Sequence, residues 1–399
     1  MSYKLSVKKP HTAILIKLIS LASIGATLFT PGIPAIRTFF HISEGEAQSA
    51  LTLFMLGYAL GQILYSPFAN RFGRKKTIHA GLVIAMIGSL LSILSGPFHS
   101  FALLIASRLI TAIGASSGLV LTITIINDYY HEHQARKVVP IVSTAFAIVP
   151  FIGVAIGGVL VHSFGWQSTF FFLLLYYLIV LVFTTRLPET GTNLSREETR
   201  LKVICQRYGQ AFSDRRLVFF SVLFGLIGAM IYIYAETAPL IAIDTLKINP
   251  QNYGFINLVV ALFYVMGNLV AASLNKRFSA VKMIWGGLLF FGLPFLVLFS
   301  FLIAGHVSFW TFFVPLFIAY FGYPIAFSNV IVLASHHFED KATGSAIMNF
   351  INMTVAMGGT VLMQNLPGPL TISMPAMMVG LSVLFFILFL YAKRFVNNS

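Results

Sequence analysis

Apolar residues in this chain run for about twenty positions at a time, and short polar stretches separate the runs. The pattern predicts membrane helices near residues 12 to 36, 47 to 69, 77 to 97, 100 to 127, 138 to 161 and 168 to 187. A second set follows near 217 to 243, 252 to 274, 281 to 304, 309 to 335, 343 to 364 and 373 to 392. Each run is long enough to cross a bilayer, and twelve spans use about 240 residues, which suits a chain of this size. The expectation is an all-α membrane protein with two six-helix bundles, 1–187 and 217–399. A polar linker, 188–216, joins them and starts at Pro188, which closes the sixth helix. Inside the linker Ser195 and Glu198 have capping-box spacing, and Leu201, Ile204, Cys205, Tyr208 and Phe212 share one helical face. This predicts a short amphipathic helix at the cytoplasmic surface, either a plain connector or a docking element.

The halves repeat one another. Tyr58, Gly61, Gln62, Arg71, Phe72 and Lys76 return 206 positions later as Tyr264, Gly267, Asn268, Arg277, Phe278 and Lys282. Val154, Ala155, Ile156, Gly157 and Gly158 return as Val355, Ala356, Met357, Gly358 and Gly359 at an offset of 201. Two offsets near half the chain length indicate a duplicated six-helix unit, the plan of transporters whose site lies between repeats.

Composition excludes other classes. Of 399 residues 57% are hydrophobic and 10% charged, with a mean hydropathy of +0.86, so a soluble fold is ruled out. The net charge of +14 is spread over loops. With both ends in the cytoplasm, that side holds nearly all the basic residues, including Lys8, Lys9, Arg71, Arg74, Lys75, Lys76, Arg277 and Lys393, whereas the outer loops keep only Arg37 and Lys247. The charge therefore marks orientation in a cell (inner) membrane and contact with anionic lipid, not a nucleic-acid partner. The apolar run after Lys9 continues to Pro31, too long for the core of a cleaved signal. One cysteine, Cys205, allows no internal disulfide, and the scattered histidines, His131 and His133 among them, suggest no metal site. No phosphate loop and no nucleophile with its base is present, so neither an enzyme nor a cofactor is expected.

Between the second and third helices lies Ser66-Pro67-Phe68-Ala69-Asn70-Arg71-Phe72-Gly73-Arg74-Lys75-Lys76, a tight basic turn. It resembles the loop signature of the major facilitator superfamily, with Ser66 at the usual glycine and Asn70 at the usual aspartate. The resemblance implies that the ion pair that latches this loop is weaker or neutral here. Leu187-Pro188-Glu189-Thr190 and Gly165-Trp166-Gln167 resemble the segments that close and open the sixth helix of that superfamily. Pro150, Gly153, Gly157 and Gly158 resemble the helix-five signature of its drug/proton antiporters, and together the motifs are similar to the bicyclomycin-resistance type. That implies twelve helices, with the first, fourth, seventh and tenth lining a cavity, and a monomer that carries a small-molecule substrate against protons.

Two charged groups fall deep in the spans. Arg108 lies about eight residues, or about 12 Å, below the outer surface, where a guanidinium needs water or a partner. It resembles the superfamily's helix-four arginine, which implies a part in proton coupling; a structural lock is the other reading. Glu236 is the only acid well inside a span. A carboxyl in such a place can exchange a proton near neutral pH. Relatives carry their acid in helix one, where this chain has Thr27, and aligning Pro31 with Pro239 sets Glu236 one step from that place. Glu236 is thus a coupling or substrate-binding carboxylate, a fixed partner of Arg108, or an acid at an outer helix end. Tyr58, Tyr232, Tyr234, Tyr320, Tyr323 and Phe327 are candidates to line a pocket for aromatic or cationic substrates, although packing or lipid contact explains such residues as well. The functional expectation is proton-coupled efflux of small, mostly apolar or cationic compounds. The alternatives are a specific permease for a siderophore, amino acid or other metabolite, and a non-transporting receptor or scaffold.

Overall fold

A computed structural model describes residues 11–130, 132–191, 194–200, 209–335 and 341–394. Lys8, Lys9, His131, Leu201, Ile204, Cys205 and Tyr208, and with them most of the expected linker helix, lie outside the described residues. Among the described residues twelve helices are long and apolar enough to cross a membrane. They are α1 (Thr12–Phe40), α2 (Glu44–Phe72), α3 (Arg74–Leu94), α4 (Phe101–Ile126), α5 (Thr144–Phe164) and α6 (Gln167–Thr184). After the connector come α7 (Arg215–Thr245), α8 (Pro250–Leu274), α9 (Ala280–Ile303), α10 (Phe309–Ala334), α11 (Thr343–Gln364) and α12 (Leu370–Ala392). Successive spans alternate in direction, so residue 11, the connector and the basic turn at Gly73 share one side of the bundle. The opposite end is called the far side below.

Sequence explains the irregularities. α1 is broken into Thr12–Ile19, Leu21–Thr27, a 3-10 turn Thr30–Gly32 and Ile33–Phe40. Pro31 has no N–H to give the carbonyl of Thr27, and the hydroxyl of Thr30 donates to that oxygen instead at 2.9 Å. α7 is α-helical to Pro239 and then widens to a π turn, Leu240–Thr245. The two spans aligned through their prolines are therefore the two that lose regular helix at that point. Arg37, expected in an outer loop, sits on the last helical segment of α1, which a left-handed His41 ends. In the connector, Ser195 accepts from the N–H of Glu197 and starts a 3-10 turn, Arg196–Thr199, rather than the α-helix that its spacing to Glu198 suggested.

Packing follows the repeat. A side chain on Gly61 would collide with Ser116 of α4, and one on Gly267 with the carbonyl of Phe321 in α10. The paired glycines thus allow the same close crossing, α2 on α4 and α8 on α10. α5 uses its glycines in two directions. A methyl group on Gly157 would strike the carbonyl of Leu28 in α1, whereas one on Gly158 would strike the carbonyl of Pro250 in α8. Gly153 faces the hydroxyl of Thr27. Pro150 lies within one unbroken helix, Glu132–Phe164.

These contacts make unequal demands on two glycines that the repeat equates. Gly157→Ala should destabilise the protein by about 1–3 kcal/mol, because neither backbone can give way cheaply. Gly358→Ala, where nothing lies within 4 Å, should leave stability unchanged. Thermal unfolding of both variants in detergent checks this, and equal midpoints would contradict it.

Candidate functional site

The far side closes on contacts between the first six spans and the last six. Arg37 of α1 holds Glu44 of α2 at 2.8 Å and reaches Asp244 of α7 at 3.2 Å. Beneath this rim the side-chain amide of Gln48 (α2) donates to the hydroxyl of Thr237 (α7) at 3.4 Å. Gln364 of α11 donates from Nε2 to Thr52 of α2 at 2.6 Å and to Oε2 of Glu236 at 3.2 Å, and Thr52 and Thr360 are 3.1 Å apart. Glu236, Thr237, Gln48 and Thr360 are fully buried. Glu236 is therefore a member of the seam between α2, α7 and α11. Its second oxygen, Oε1, has no hydrogen-bond partner among the described residues.

Arg108 is held apart from that seam. Nη2 donates to the carbonyl of Gly25 at 2.7 Å, and the guanidinium lies over Phe29 and Phe54, 4.1 and 4.5 Å from the ring centres, with Phe170 at 5.6 Å. No carboxylate lies within 4.0 Å among the described residues, so Arg108 and Glu236 form no ion pair. Cation–π contacts and a carbonyl replace the counter-ion. Lys17, in the first segment of α1, sits 3.7 Å over the ring of Phe183 near the end of α6.

The aromatic candidates divide. Tyr234 stacks edge-on against Tyr320 at 5.2 Å, Tyr320 does the same with Tyr323 at 5.0 Å, and Phe327 meets Phe224 at 4.6 Å. Sequence reasoning missed Phe151, which joins the ring cluster from α5 through Tyr320 and Tyr264 at 5.9 and 5.8 Å. It also missed Asn257, whose Oδ1 accepts from the hydroxyl of Tyr234 at 3.0 Å. Tyr58 of α2 lies close enough to Tyr232 and Gln62 to interact with both. Helices α2, α5, α7, α8 and α10 thus bring rings to the middle of the molecule. Among the described residues no group of three or more His, Cys, Asp or Glu is placed to hold a metal ion.

The basic turn has more partners than its missing aspartate suggested. Gly73, at φ +92°, turns the chain so that the N–H groups of Arg74 and Lys75 donate to Glu189 at 2.8 and 3.1 Å. A carboxylate thus sits on the N-terminus of α3, where helix dipole and free N–H groups favour an anion. Arg74 pairs with Asp128 at 2.8 Å, Thr190 donates to the same carboxylate, and Lys75 donates to the carbonyl of Thr185. Arg71 donates to Thr199 and the carbonyl of Asn70 accepts from Ser195, which ties the turn to the connector. The expectation of a weak or neutral latch is corrected in that Glu189 and Asp128, which follow α6 and α4, supply negative charge to the turn. The sequence signal was available in Leu187-Pro188-Glu189-Thr190, read there only as a helix terminus.

Comparison with known proteins agrees with this architecture. The chain is 26% identical over 270 residues to an uncharacterized transporter of Rickettsia bellii, covering 66% of this chain and 64% of that protein. It is 25% identical over 262 residues to the bicyclomycin resistance protein homolog of Haemophilus influenzae, covering 65% and 63%. These matches span just under two thirds of the relatives' length. Among solved structures, the inward-open xylose transporter XylE from E. coli superposes with a TM-score of 0.73 at 14% identity, covering 94% of each chain. The model of the Major Facilitator Superfamily matches residues 17–360. With twelve spans, the repeated glycine crossings and a seam between the two sets of six, the chain belongs to the Major Facilitator Superfamily.

Proposed function

We propose that this protein exports small, mostly apolar or cationic compounds in exchange for protons, with Glu236 as the coupling acid. The observation that carries the reading is the position of Glu236. It is the one carboxyl deep within the spans, fully buried, and it lies in the seam that must part for the far side to open. Such a carboxyl is stable neutral when buried and charged when water reaches it, so opening and closing exchange its proton. The bundles 1–187 and 217–399 rock about the ring cluster, exposing it to one side at a time. The faces of Tyr234, Tyr320, Tyr323 and Phe151 suit apolar or cationic compounds, and a relative named for bicyclomycin resistance supports export of drugs. One chain supplies both bundles and the whole seam, which favours a monomer as the transport unit.

Arg108 cannot lose its charge, and it takes the role of a lock. It grips Gly25 and Phe29 beside the break in α1, holding that break against α4 while α7 moves. The Tyr234–Asn257 hydrogen bond beside the rings is the feature that favours the permease reading, since a polar metabolite could use it. A panel of labelled lipophilic cations and polar metabolites in proteoliposomes separates the two.

The connector side is assigned to the cytoplasm because Arg71, Arg74, Lys75, Lys276, Arg277 and Lys393 lie there, against Arg37 and Lys247 on the far side. A membrane-impermeant thiol reagent should therefore spare Cys205 in intact cells and label it in inverted membrane vesicles. Labelling from outside would reverse the assignment.

Glu236→Gln keeps size and hydrogen bonding but cannot titrate. It should abolish transport driven by a pH gradient while leaving substrate exchange and the thermal midpoint intact, because no ion pair with Arg108 is lost. Accumulation measured in proteoliposomes with and without the gradient checks this; concentrative transport by Glu236→Gln would exclude Glu236 as the coupling acid.

A further inference from the structure

The hydrogen bonds around Glu236 have a fixed direction. Thr360 donates its hydroxyl proton to the carbonyl of Met357 at 2.9 Å, so toward Thr52 it can only accept. Thr52 therefore donates to Thr360, and its own oxygen accepts from Gln364 at 2.6 Å. The amide group of Gln364 has two hydrogens, and its second goes to Oε2 of Glu236. Every donor in this chain is in use. The acceptors are not: Oε1 of Glu236 and Oε1 of Gln48 are both buried without a donor. Gln48 belongs to the same layer, since its amide nitrogen donates to Thr237, next in sequence to Glu236.

The Thr360–Thr52–Gln364 chain has no donor left for Oε1 of Glu236, and a proton on that oxygen meets the lack. The neutral carboxyl adds an O–H where one is missing, whereas the carboxylate adds a buried charge that one amide alone solvates. We infer that Gln364 is the positioning residue that ties the Glu236 carboxyl into the α2–α11 contact, and that the far-side seam closes over the neutral form of Glu236 and opens when the proton leaves. This rests on the reading of Glu236 as the coupling acid and adds the link from its proton to the gate. Gln364 contacts both α2, through Thr52, and α7, through Glu236, so closure and protonation are read by one side chain.

Other titratable groups do not offer the same link. On the elements packed against α7, α1 brings Arg37 to this end and α2 brings Glu44 and Glu46. Arg37 is engaged with Glu44 and Asp244 at the rim, and Glu46 caps its own helix through Ser43. α11 and α12 bring no charged side chain to this end, and α2 and α10 otherwise contribute the tyrosines Tyr58, Tyr320 and Tyr323. Glu236 is thus the acid buried in the seam itself.

The sign follows from linkage. If the closed seam binds the proton more tightly than the open one, lowering the pH increases the closed population, and weakening closure moves its midpoint to lower pH. Spin labels at Ser49 and Asn365, exposed or half-exposed positions flanking the seam, would report its width in a Cys205→Ser background reconstituted in nanodiscs. The short distance should gain population as pH falls. Glu236→Gln should show the short distance at every pH. Gln364→Leu should shift the midpoint to lower pH, and Thr52→Val, which breaks the same chain from α2 and leaves the Gln364–Glu236 bond in place, should shift it the same way. The second variant keeps the test open if the first does not fold. A wild-type distance independent of pH, an unshifted midpoint in both Gln364→Leu and Thr52→Val, or closure driven by sodium rather than acid would overturn the inference. Loss of gradient-driven transport in Glu236→Gln alongside a pH-insensitive seam would overturn this inference alone and leave the coupling role standing.

Discussion

A charge in the interior of a bilayer must be satisfied by the protein or given up, and the two deep charges of this chain meet that constraint differently. Arg108 is permanently protonated, so its surroundings are permanent: a backbone carbonyl at Gly25 and the faces of Phe29, Phe54 and Phe170. Glu236 can shed its charge, and it has one amide donor from a residue that also touches the other bundle. An ion pair between them would have cancelled both charges and left neither free to respond. Holding them apart leaves one group to fix α1 and the other to sense closure.

The spans were legible in the sequence because hydrocarbon thickness leaves little choice of length, and the observed ends fall within a few residues of the hydropathy minima for most spans. The repeat was legible because a close crossing needs a small residue, and Gly61 and Gly267 meet that need against equivalent helices. The polar layer of the seam was not. Gln48, Thr52, Thr360 and Gln364 are neutral residues near helix ends, where they hardly alter hydropathy, and their contacts join positions 308 and 312 apart for which no local period exists. Tyr234, Tyr320 and Tyr323 could be chosen by residue type, whereas Phe151 was one phenylalanine among 39 and became a candidate only once α5 was placed against α8 and α10. Glu189 failed for another reason: a carboxylate after a helix-ending proline looks like a solvated loop until α3 is seen to start beside it.

The two ends of the molecule are consequently bonded in different ways. On the connector side, Glu189, Asp128, Arg74 and Lys75 all belong to the first six spans and their flanking turns, and Arg71 and the carbonyl of Asn70 reach the connector. Charged groups, half solvated, stitch that bundle to itself. Each such pair contributes little alone, about 0–1 kcal/mol, but several sharing the carboxylates of Glu189 and Asp128 fix one geometry. At the far side the order is reversed: beneath one rim ion cluster, the buried contacts between bundles are bonds among amides and hydroxyls.

That difference bears on how one fold can be rigid and mobile at once. A neutral hydrogen bond adds about 0.5–1.5 kcal/mol net, because water offers the separated groups nearly equivalent partners. A seam made of three such bonds can therefore part when water enters, and the free-energy difference between closed and open stays small enough for one proton to tip it. Gln364 and Glu236 both belong to the second bundle, so parting of the seam breaks the bond from Gln364 to Thr52 and leaves the one to Glu236 in place. The glycine contacts supply what the weak bonds cannot. With Gly158 against Pro250 the backbones of α5 and α8 meet directly, so that when the seam closes its geometry is set by main chain. Shape thus fixes where the bundles meet, and the neutral chain through Gln364 leaves open whether they do.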